Sequence, residues 1–210
     1  MSTTLRVQWT ITPRAAPQPW LHCSRCRGPR PFRSSGKIRV NANGRRIDAW
    51  LIYRCTDCDG SWNRPVVERR EVSTIEPGSL TSLQANEPDV ARRLAFDLAA
   101  LRRWTGRVQE FDDVVVSKAV LAQSTVRPQR LEIVCVIPEP IGLRLDRLLA
   151  TELQVSRSCI QGLEKCQQLF TSPQGPTLRR PPRDGMRVVI DTSSIPDSSV
   201  CLAVGAGAFL

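Results

Sequence analysis

Two copies of one short turn, Cys23-Ser24-Arg25-Cys26-Arg27-Gly28 and Cys55-Thr56-Asp57-Cys58-Asp59-Gly60, decide the fold around them. The two-residue gap lets both sulfurs of a turn reach one tetrahedral metal ion, at about 2.3 Å for zinc. Each glycine is expected to allow a left-handed bend that aims backbone N–H groups at the sulfurs. The 28 residues between the pairs are enough for a β-hairpin. The turns therefore predict one structural Zn²⁺, because four thiolates leave no coordination position for water.

Other chemistry of these cysteines stays open: two free dithiols, a redox switch or an iron–sulfur cluster. Zinc is favoured because nothing else in the chain indicates electron transfer. His22, the only histidine, is interpreted as a neighbour of the site rather than a ligand. The remaining cysteines do not belong to a constellation with basic partners that would favour catalysis, and their role is not predicted: Cys135, Cys159, Cys166 and Cys201.

The two turns around a hairpin resemble a zinc ribbon. The segment from Ser35 to Cys55, which contains Asn41-Ala42-Asn43-Gly44 and Asp48-Ala49-Trp50, also resembles a bacterial family without an assigned activity. The resemblance implies that this family spans nearly the whole chain. Its polar residues could form a base-stacking or phosphate site with Arg39, Arg45 and Arg46. The interpretation that we favour is turn chemistry combined with core tryptophans, Trp50 and Trp62.

Hydrophobic patterns predict the other elements. Strands are expected at residues 4–12, 37–40, 47–54, 61–72, 131–137 and 186–190. Residues 77–122 are expected to be helical, with one helix starting at Glu87-Pro88 and a shorter one from Asp112-Asp113 to Val120. Two more helices are predicted at 144–152 and 157–166, after a linker at 123–129. The tail from Thr192 has no periodic pattern and is expected to be disordered.

The two C-terminal helices carry arginines beside a leucine stripe. The run Gly142-Leu143-Arg144-Leu145-Asp146-Arg147-Leu148-Leu149 is amphipathic, and Ser156 is a suitable N-cap for the second helix. From Leu131 to Asp191 the chain resembles the RNA-binding domain named after ribosomal protein S-four. The resemblance implies RNA contacts from Arg144, Arg147, Ser156, Arg157, Ser158 and Gln161. The sequence after Cys166 departs from that family's usual hairpin, and three further arginines are expected to compensate: Arg179, Arg180 and Arg183.

The predicted fold class is α+β, in four segments. Residues 1–74 are expected to form a zinc-ribbon sheet domain that includes the N-terminal strand. Residues 75–126 form a helical connector, residues 127–191 an S-four-like α/β domain, and residues 192–210 a flexible tail.

The charge indicates a polyanionic partner. The formal net charge is +10, which favours nucleic acid first and an anionic membrane second. We expect a non-catalytic RNA-binding protein that contacts ribosomal or transfer RNA through arginines. The alternative is a protein-interaction module that uses the ribbon as a docking surface, with no RNA role. No catalytic constellation or small-molecule site is evident. The absence of a signal peptide and of a long apolar run predicts a cytoplasmic protein without membrane association.

Overall fold

The structure is a computed structural model, and it describes residues 4–122, 128–172, 178–193, 195 and 198–207. Over these residues the chain is mixed α+β, with two five-stranded sheets and six α-helices. It divides into two compact units. The terminal unit comprises Met1–Arg14 and Asp112–Leu210, and the cysteine unit comprises Ala15–Phe111. Of the helices within the described ranges, none is both long and apolar enough to cross a membrane.

The strands and helices follow one another along the chain as follows. The strands are β1 (Thr4–Pro13), β2 (Gln18–Cys23), β3 (Gly28–Asn43), β4 (Arg46–Cys55), β5 (Ser61–Glu71), β6 (Val108–Gln109), β7 (Val114–Ala122), β8 (Arg130–Val136), β9 (Leu169–Ser172) and β10 (Arg187–Asp191). The helices are α1 (Pro77–Gln84), α2 (Pro88–Ala95), α3 (Leu98–Arg102), α4 (Leu145–Glu152), α5 (Arg157–Lys165) and α6 (Ser198–Gly205). A single 3₁₀ turn spans Val72–Thr74.

The cysteine unit is built on an antiparallel sheet of order β5-β4-β3-β2-β6. The predicted β3–β4 hairpin is confirmed, and Gly44 in its turn has a φ of +59°, which favours glycine. Alternate residues of β4 are buried from Ile47 to Cys55. Strand β5 lies at the edge of the sheet, where a proline such as Pro65 is tolerated, and its register with β4 is irregular next to Pro65.

Helices α2 and α3 cover one face of this sheet, and α1 contacts β3. Ala91, Ala95 and Leu101 are buried against Leu51 and Tyr53. The residues that follow Glu87-Pro88, where one helix is predicted to start, form two short helices, α2 and α3. The break has a local cause, since the Asp97 carboxylate accepts the Ala100 N–H at 2.9 Å and so caps α3.

The terminal unit has a mixed sheet of order β7-β1-β8-β10-β9. Strand β1 runs parallel to β8 and antiparallel to β7. Helices α4 and α5 are present as predicted, and their leucines join the buried side chains of the sheet in one core. The largest fully buried side chain of this unit is Trp9, in the middle of β1.

The units divide the chain differently from the predicted segments. Strand β1, predicted to belong to the zinc ribbon, lies in the sheet of the terminal unit. Helices α1 to α3, predicted as a connector, pack within the cysteine unit. The predicted helix from Asp112 to Val120 is wrong, because the residues from Val114 to Ala122 form strand β7. The β-branched run that begins β7 suits a pleated strand and pairs with β1, with Val116 opposite Ile11.

The C-terminal segment also differs from its prediction, which was a flexible tail from residue 192. It forms α6, in which Leu202 and Val204 are buried. The Trp9 indole N–H donates to the Gly205 carbonyl at 2.9 Å, and Lys118 Nζ donates to the Val204 carbonyl at 3.0 Å. These bonds satisfy carbonyls that the end of a helix leaves without partners. Most of the predicted linker, residues 123–127, lies outside the described residues, as do residues 173–177 between β9 and β10.

Candidate functional site

The antiparallel sheet brings the two cysteine turns together. Cys23 ends β2 and Cys26 lies in the turn before β3, whereas Cys55 ends β4 and Cys58 lies in the turn before β5. Strand β3 connects the two turns, since its Gly28 pairs with Cys23 and its Phe32 pairs with Cys55. The predicted hairpin therefore carries the second turn back to the first.

The four sulfur atoms form one compact group that could hold a metal ion. All four Sγ atoms lie within 4.8 Å of one another. Cys23 Sγ lies 3.4 Å from Cys58 Sγ, and Cys26 Sγ lies 3.9 Å from Cys55 Sγ. Four sulfurs at about 2.3 Å from a tetrahedral zinc would be about 3.8 Å apart. The spacing therefore fits a tetrahedral ion bound by all four cysteines.

Without a cation, these thiols cannot all ionise together. The Cys26 backbone N–H donates to Cys23 Sγ and lowers the pKa of that thiol to about 7, although burial opposes the effect. The hydrogen bond that the Cys26 thiol donates to Cys58 is the main cause that raises the pKa of Cys26 to about 12. The Cys23 thiolate therefore forms more easily than that of Cys26, whose proton is held by hydrogen bonds and by burial and whose ionisation is also opposed by the charge of Cys23. A bound divalent cation would remove that repulsion.

The glycines of the turns have a different role from the one predicted. The left-handed residues are Arg27, with a φ of 53°, and Asp59, with a φ of 56°, each one position before the glycine. Gly60 instead packs closely against the sulfurs: a Cβ there would lie 3.3 Å from Cys58 Sγ, a tight contact, and 3.7 Å from Cys23 Sγ. The absence of a side chain at Gly60 leaves room for the sulfur group.

Ion pairs join the second cysteine turn to strand β3. Arg30 pairs with Asp57 at 2.6 Å, and Arg33 pairs with Asp59 at 3.0 Å. Cys23 and Cys55 are buried, whereas Cys26 and Cys58 are half-buried. His22 is exposed and is outside the four-cysteine group. The four-cysteine group is therefore buried at the two cysteines that end strands, and it is partly accessible to solvent at the two cysteines in the turns.

The structure brings three of the predicted RNA-contacting residues together around a buried carboxylate, Asp146. Arg144 donates two bonds, Nε to Oδ1 at 3.1 Å and Nη2 to Oδ2 at 2.7 Å. Arg157 Nη2 donates to Oδ2 at 3.0 Å, and Gln161 Nε2 donates to the same oxygen at 3.5 Å. The Asp146 side chain is fully buried, while the two arginines are 39% and 49% exposed. One carboxylate therefore fixes two guanidinium groups whose outer N–H groups face solvent.

The charge of Asp146 depends on these partners. Burial raises the pKa of Asp146, but the hydrogen bonds from Arg157 and Arg144 outweigh burial and hold the pKa below its ordinary value. Asp146 was within the quoted run but was not predicted as a site residue. The sequence feature that indicates a role for Asp146 is its position as the only acidic residue between Gly142 and Leu149.

The other predicted RNA-contacting residues are spread around this cluster. Arg147 is directed to Asp112, with which it pairs at 2.8 Å. The Ser156 hydroxyl caps α5 by accepting the Cys159 N–H at 3.1 Å, and Ser158 is exposed in the first turn. The remaining three are exposed on a segment whose Leu178 and Arg180 carbonyls accept N–H groups at the start of α4: Arg179, Arg180 and Arg183.

The structure separates the two tryptophans of the predicted stacking cluster. Trp62 packs beside Tyr53 and Trp104, with ring centroids 5.2 and 5.9 Å away, and belongs to the core beneath the helices. Trp50 is half-buried on the opposite face, where its cross-strand neighbours are Arg39 and Pro65. The interpretation as core therefore applies to Trp62 and does not apply to Trp50.

The described cysteines outside the group differ in exposure. Cys135 is buried, and burial, assisted by the charge of Asp184, raises the pKa of its thiol to about 12. Such a thiol is a poor nucleophile at neutral pH. Cys159 is half-buried and Cys166 is exposed. The side chain of Cys201 lies outside the described residues.

Comparison with protein families gives a match to the model described as "Protein of unknown function (DUF1062)", over residues 40–174. The matched region includes Cys55, Cys58 and the Asp146 cluster, and it excludes Cys23 and Cys26. No curated protein and no solved structure matches the chain. The resemblance to a family without an assigned activity is confirmed over these residues, and the resemblance to the S-four domain stays a prediction.

Proposed function

The chain belongs to the DUF1062 family, and we propose that it is a non-catalytic, zinc-containing RNA-binding protein. Zinc would bind Cys23, Cys26, Cys55 and Cys58 and would have a structural role. The observation that carries this part is the mutual distance of the four sulfurs, all within 4.8 Å. A tetrathiolate has a charge of −4 and favours a borderline-soft divalent ion, for which zinc is the usual choice.

The metal would stabilise the cysteine unit by joining the ends of β2 and β4. The core of that unit contains Cys23 and Cys55 themselves, next to Phe32, Leu51 and Tyr53. Removing the ion would leave four thiols in contact at the edge of this core. A structural zinc contributes folding free energy directly, because the unfolded chain has no preformed site.

Cobalt substitution tests the proposed coordination. Co²⁺ bound by four thiolates gives intense sulfur-to-metal charge-transfer absorption and the visible d–d bands of a tetrahedral site. We expect the full chain to take up one Co²⁺ with this spectrum, and Zn²⁺ to bleach it. Cys58→Ser should weaken the charge-transfer band, whereas Cys166→Ser, at an exposed cysteine outside the group, should leave it unchanged. A spectrum of an octahedral, oxygen-ligated ion would contradict the proposal.

RNA binding is supported by charge and by preorganised arginines. Arg144 and Arg157 are held by buried Asp146, so that less side-chain freedom is lost when they bind a phosphate. The exposed residues Arg179, Arg180 and Arg183 follow on a segment that is hydrogen-bonded to the start of α4. Together these five would form one phosphate-binding surface, in which Ser158 and Gln161 could add polar contacts. Such contacts supply affinity without reading sequence.

The exposed arginines allow the cleanest test of RNA binding. Replacing Arg144 or Arg157 would leave the buried carboxylate with fewer partners and could disturb the fold, whereas Arg179, Arg180 and Arg183 can be changed to alanine together without that cost. The matched control removes three exposed arginines of the cysteine unit, in α2, in α3 and directly after α3: Arg93, Arg102 and Arg103.

The assay is fluorescence anisotropy with labelled transfer RNA and ribosomal RNA fragments at salt concentrations between about 50 and 200 mM. We expect wild type to bind with a steep salt dependence. The triple variant should bind more weakly with a salt slope smaller by about two to three, since each phosphate contact contributes roughly 0.9. An equal loss of RNA affinity in the control variant would show that the effect depends only on the net charge of the protein. Absence of binding in wild type would favour the alternative, a ribbon that docks on a protein.

A further inference from the structure

One face of the cysteine-unit sheet, which we call the open face, lies opposite helices α2 and α3. Alternate residues of β4 are buried toward the helices, so the intervening residues lie on the open face. These are Arg46, Asp48, Trp50, Ile52 and Arg54. Their neighbours on β3 include Arg39 opposite Trp50, Lys37 opposite Ile52 and Arg33 opposite Arg54.

The open face is basic. Five cationic residues lie there, Arg33, Lys37, Arg39, Arg46 and Arg54, against two carboxylates, Asp48 and Glu71. Asp48 accepts the Arg69 backbone N–H at 2.8 Å, and Arg33 pairs with Asp59. In the part of the chain that the structure describes, Lys37, Arg39 and Arg46 make no ion pair of their own. The cysteine unit as a whole has 17 Lys and Arg against 10 Asp and Glu, so most of the net charge of the protein lies in it.

Trp50 is at the centre of this basic surface and differs from the other tryptophans. Trp9 lies beneath Lys118, Trp20 lies beneath Arg107, and Trp62 and Trp104 contact each other. Within the described ranges Trp50 has neither an aromatic nor a cation–π partner. Its indole is half-buried between Arg39 on β3 and Pro65 on β5, so it is flanked by neighbours on both strands yet accessible to a ligand.

We propose that the open face binds single-stranded RNA, with Trp50 stacking on a base and Lys37, Arg39 and Arg46 contacting phosphates. This inference rests on the proposed RNA-binding function and adds a second surface, in the other unit. A sheet face that combines an unpaired aromatic ring with surrounding cations suits unpaired bases, which offer a planar face to the ring and a charged backbone beside it. A duplex hides its bases within the stack, and so it would use only the cations.

The test measures anisotropy of a fluorescein-labelled 12-nucleotide oligouridylate with the zinc-loaded full chain. Trp50→Leu retains the apolar bulk and removes the aromatic face, and it should weaken binding about 5- to 150-fold, the range for loss of one stacked base. Trp50→Phe retains a ring and should bind closer to wild type. Trp104→Leu is the matched control at a tryptophan that is 48% exposed, and it should bind like wild type. Arg39→Ala should lower the salt slope by about 0.7.

The outcomes separate this inference from the function on which it rests. Wild-type affinity in Trp50→Leu would overturn the inference, as would equal affinity for a 12-base-pair RNA duplex, or binding of oligodeoxythymidylate without binding of oligouridylate. If transfer RNA still binds and still depends on Arg179, Arg180 and Arg183, then only the open face fails. If wild type binds neither kind of RNA, both proposals fail.

Discussion

Replacing Asp146 by asparagine removes the one carboxylate that two arginines of the terminal unit share. Three charge-assisted hydrogen bonds, at 3.1, 2.7 and 3.0 Å, end on this side chain. A hydrogen bond to a charged group contributes about 1.5–3 kcal/mol. Arg144 and Arg157 are 39% and 49% exposed, so water recovers part of that loss, and the amide oxygen still accepts one bond. We expect the free energy of unfolding to fall by about 2–3 kcal/mol.

Asp112→Asn is the matched control, because Asp112 also pairs with an arginine of α4 in the same unit. That pair, with Arg147 at 2.8 Å, is more than half exposed on both sides and should contribute less than about 1 kcal/mol. Native-state hydrogen exchange of the zinc-loaded full chain in urea, read by mass spectrometry over residues 145–165, measures both variants. An equal effect of the two substitutions, or a loss below about 0.5 kcal/mol at Asp146, would refute the reasoning from burial.

Two further predictions concern the terminal unit. Gly205→Ala places a Cβ 2.9 Å from Leu131 Cδ2 and 3.3 Å from Leu153 Cδ2, both on buried side chains, so it should destabilise the chain by about 1–2 kcal/mol in urea unfolding. Gly106→Ala, where no atom lies within 4 Å, should cost much less, and equal costs would contradict the packing of α6. The folded pKa of Asp146 lies below its unfolded value of about 3.9. Its contribution is therefore complete above that value and is lost as pH falls through the folded pKa, so the stability difference between wild type and Asp146→Asn should shrink as pH falls below about 4. Circular dichroism melts at several pH values check this, and a difference as large at pH 2 as at pH 7 would contradict it.

Local patterns predicted the parts of the fold that depend on neighbours in sequence. The cysteine spacing and the Asn43-Gly44 turn predicted the hairpin that brings the four sulfurs together, because both signals act over a few residues. The leucine spacing predicted α4 and α5 for the same reason.

Pairings between distant segments could not be predicted in this way. Strand β1 is identified correctly, but its parallel partner β8 is supplied by a segment far along the chain, and no local signal favours it over the neighbouring ribbon. Helix α6 has small apolar residues without a period, and its place is determined by Trp9 and by the close approach of Gly205 to Leu131. At the candidate site, residue type indicated Arg144 and Arg157, but only the structure shows that Asp146 holds them.

The metal content of the purified chain tests the central claim most directly. Inductively coupled plasma mass spectrometry on wild type, Cys55→Ser and Cys166→Ser, each purified without added metal or chelator, compares a buried cysteine of the group with an exposed cysteine outside it. We predict one zinc per chain in wild type and in Cys166→Ser, and a substantial loss in Cys55→Ser. Wild type that contains no metal, or zinc that is unaffected by Cys55→Ser, would contradict a site formed by the four cysteines.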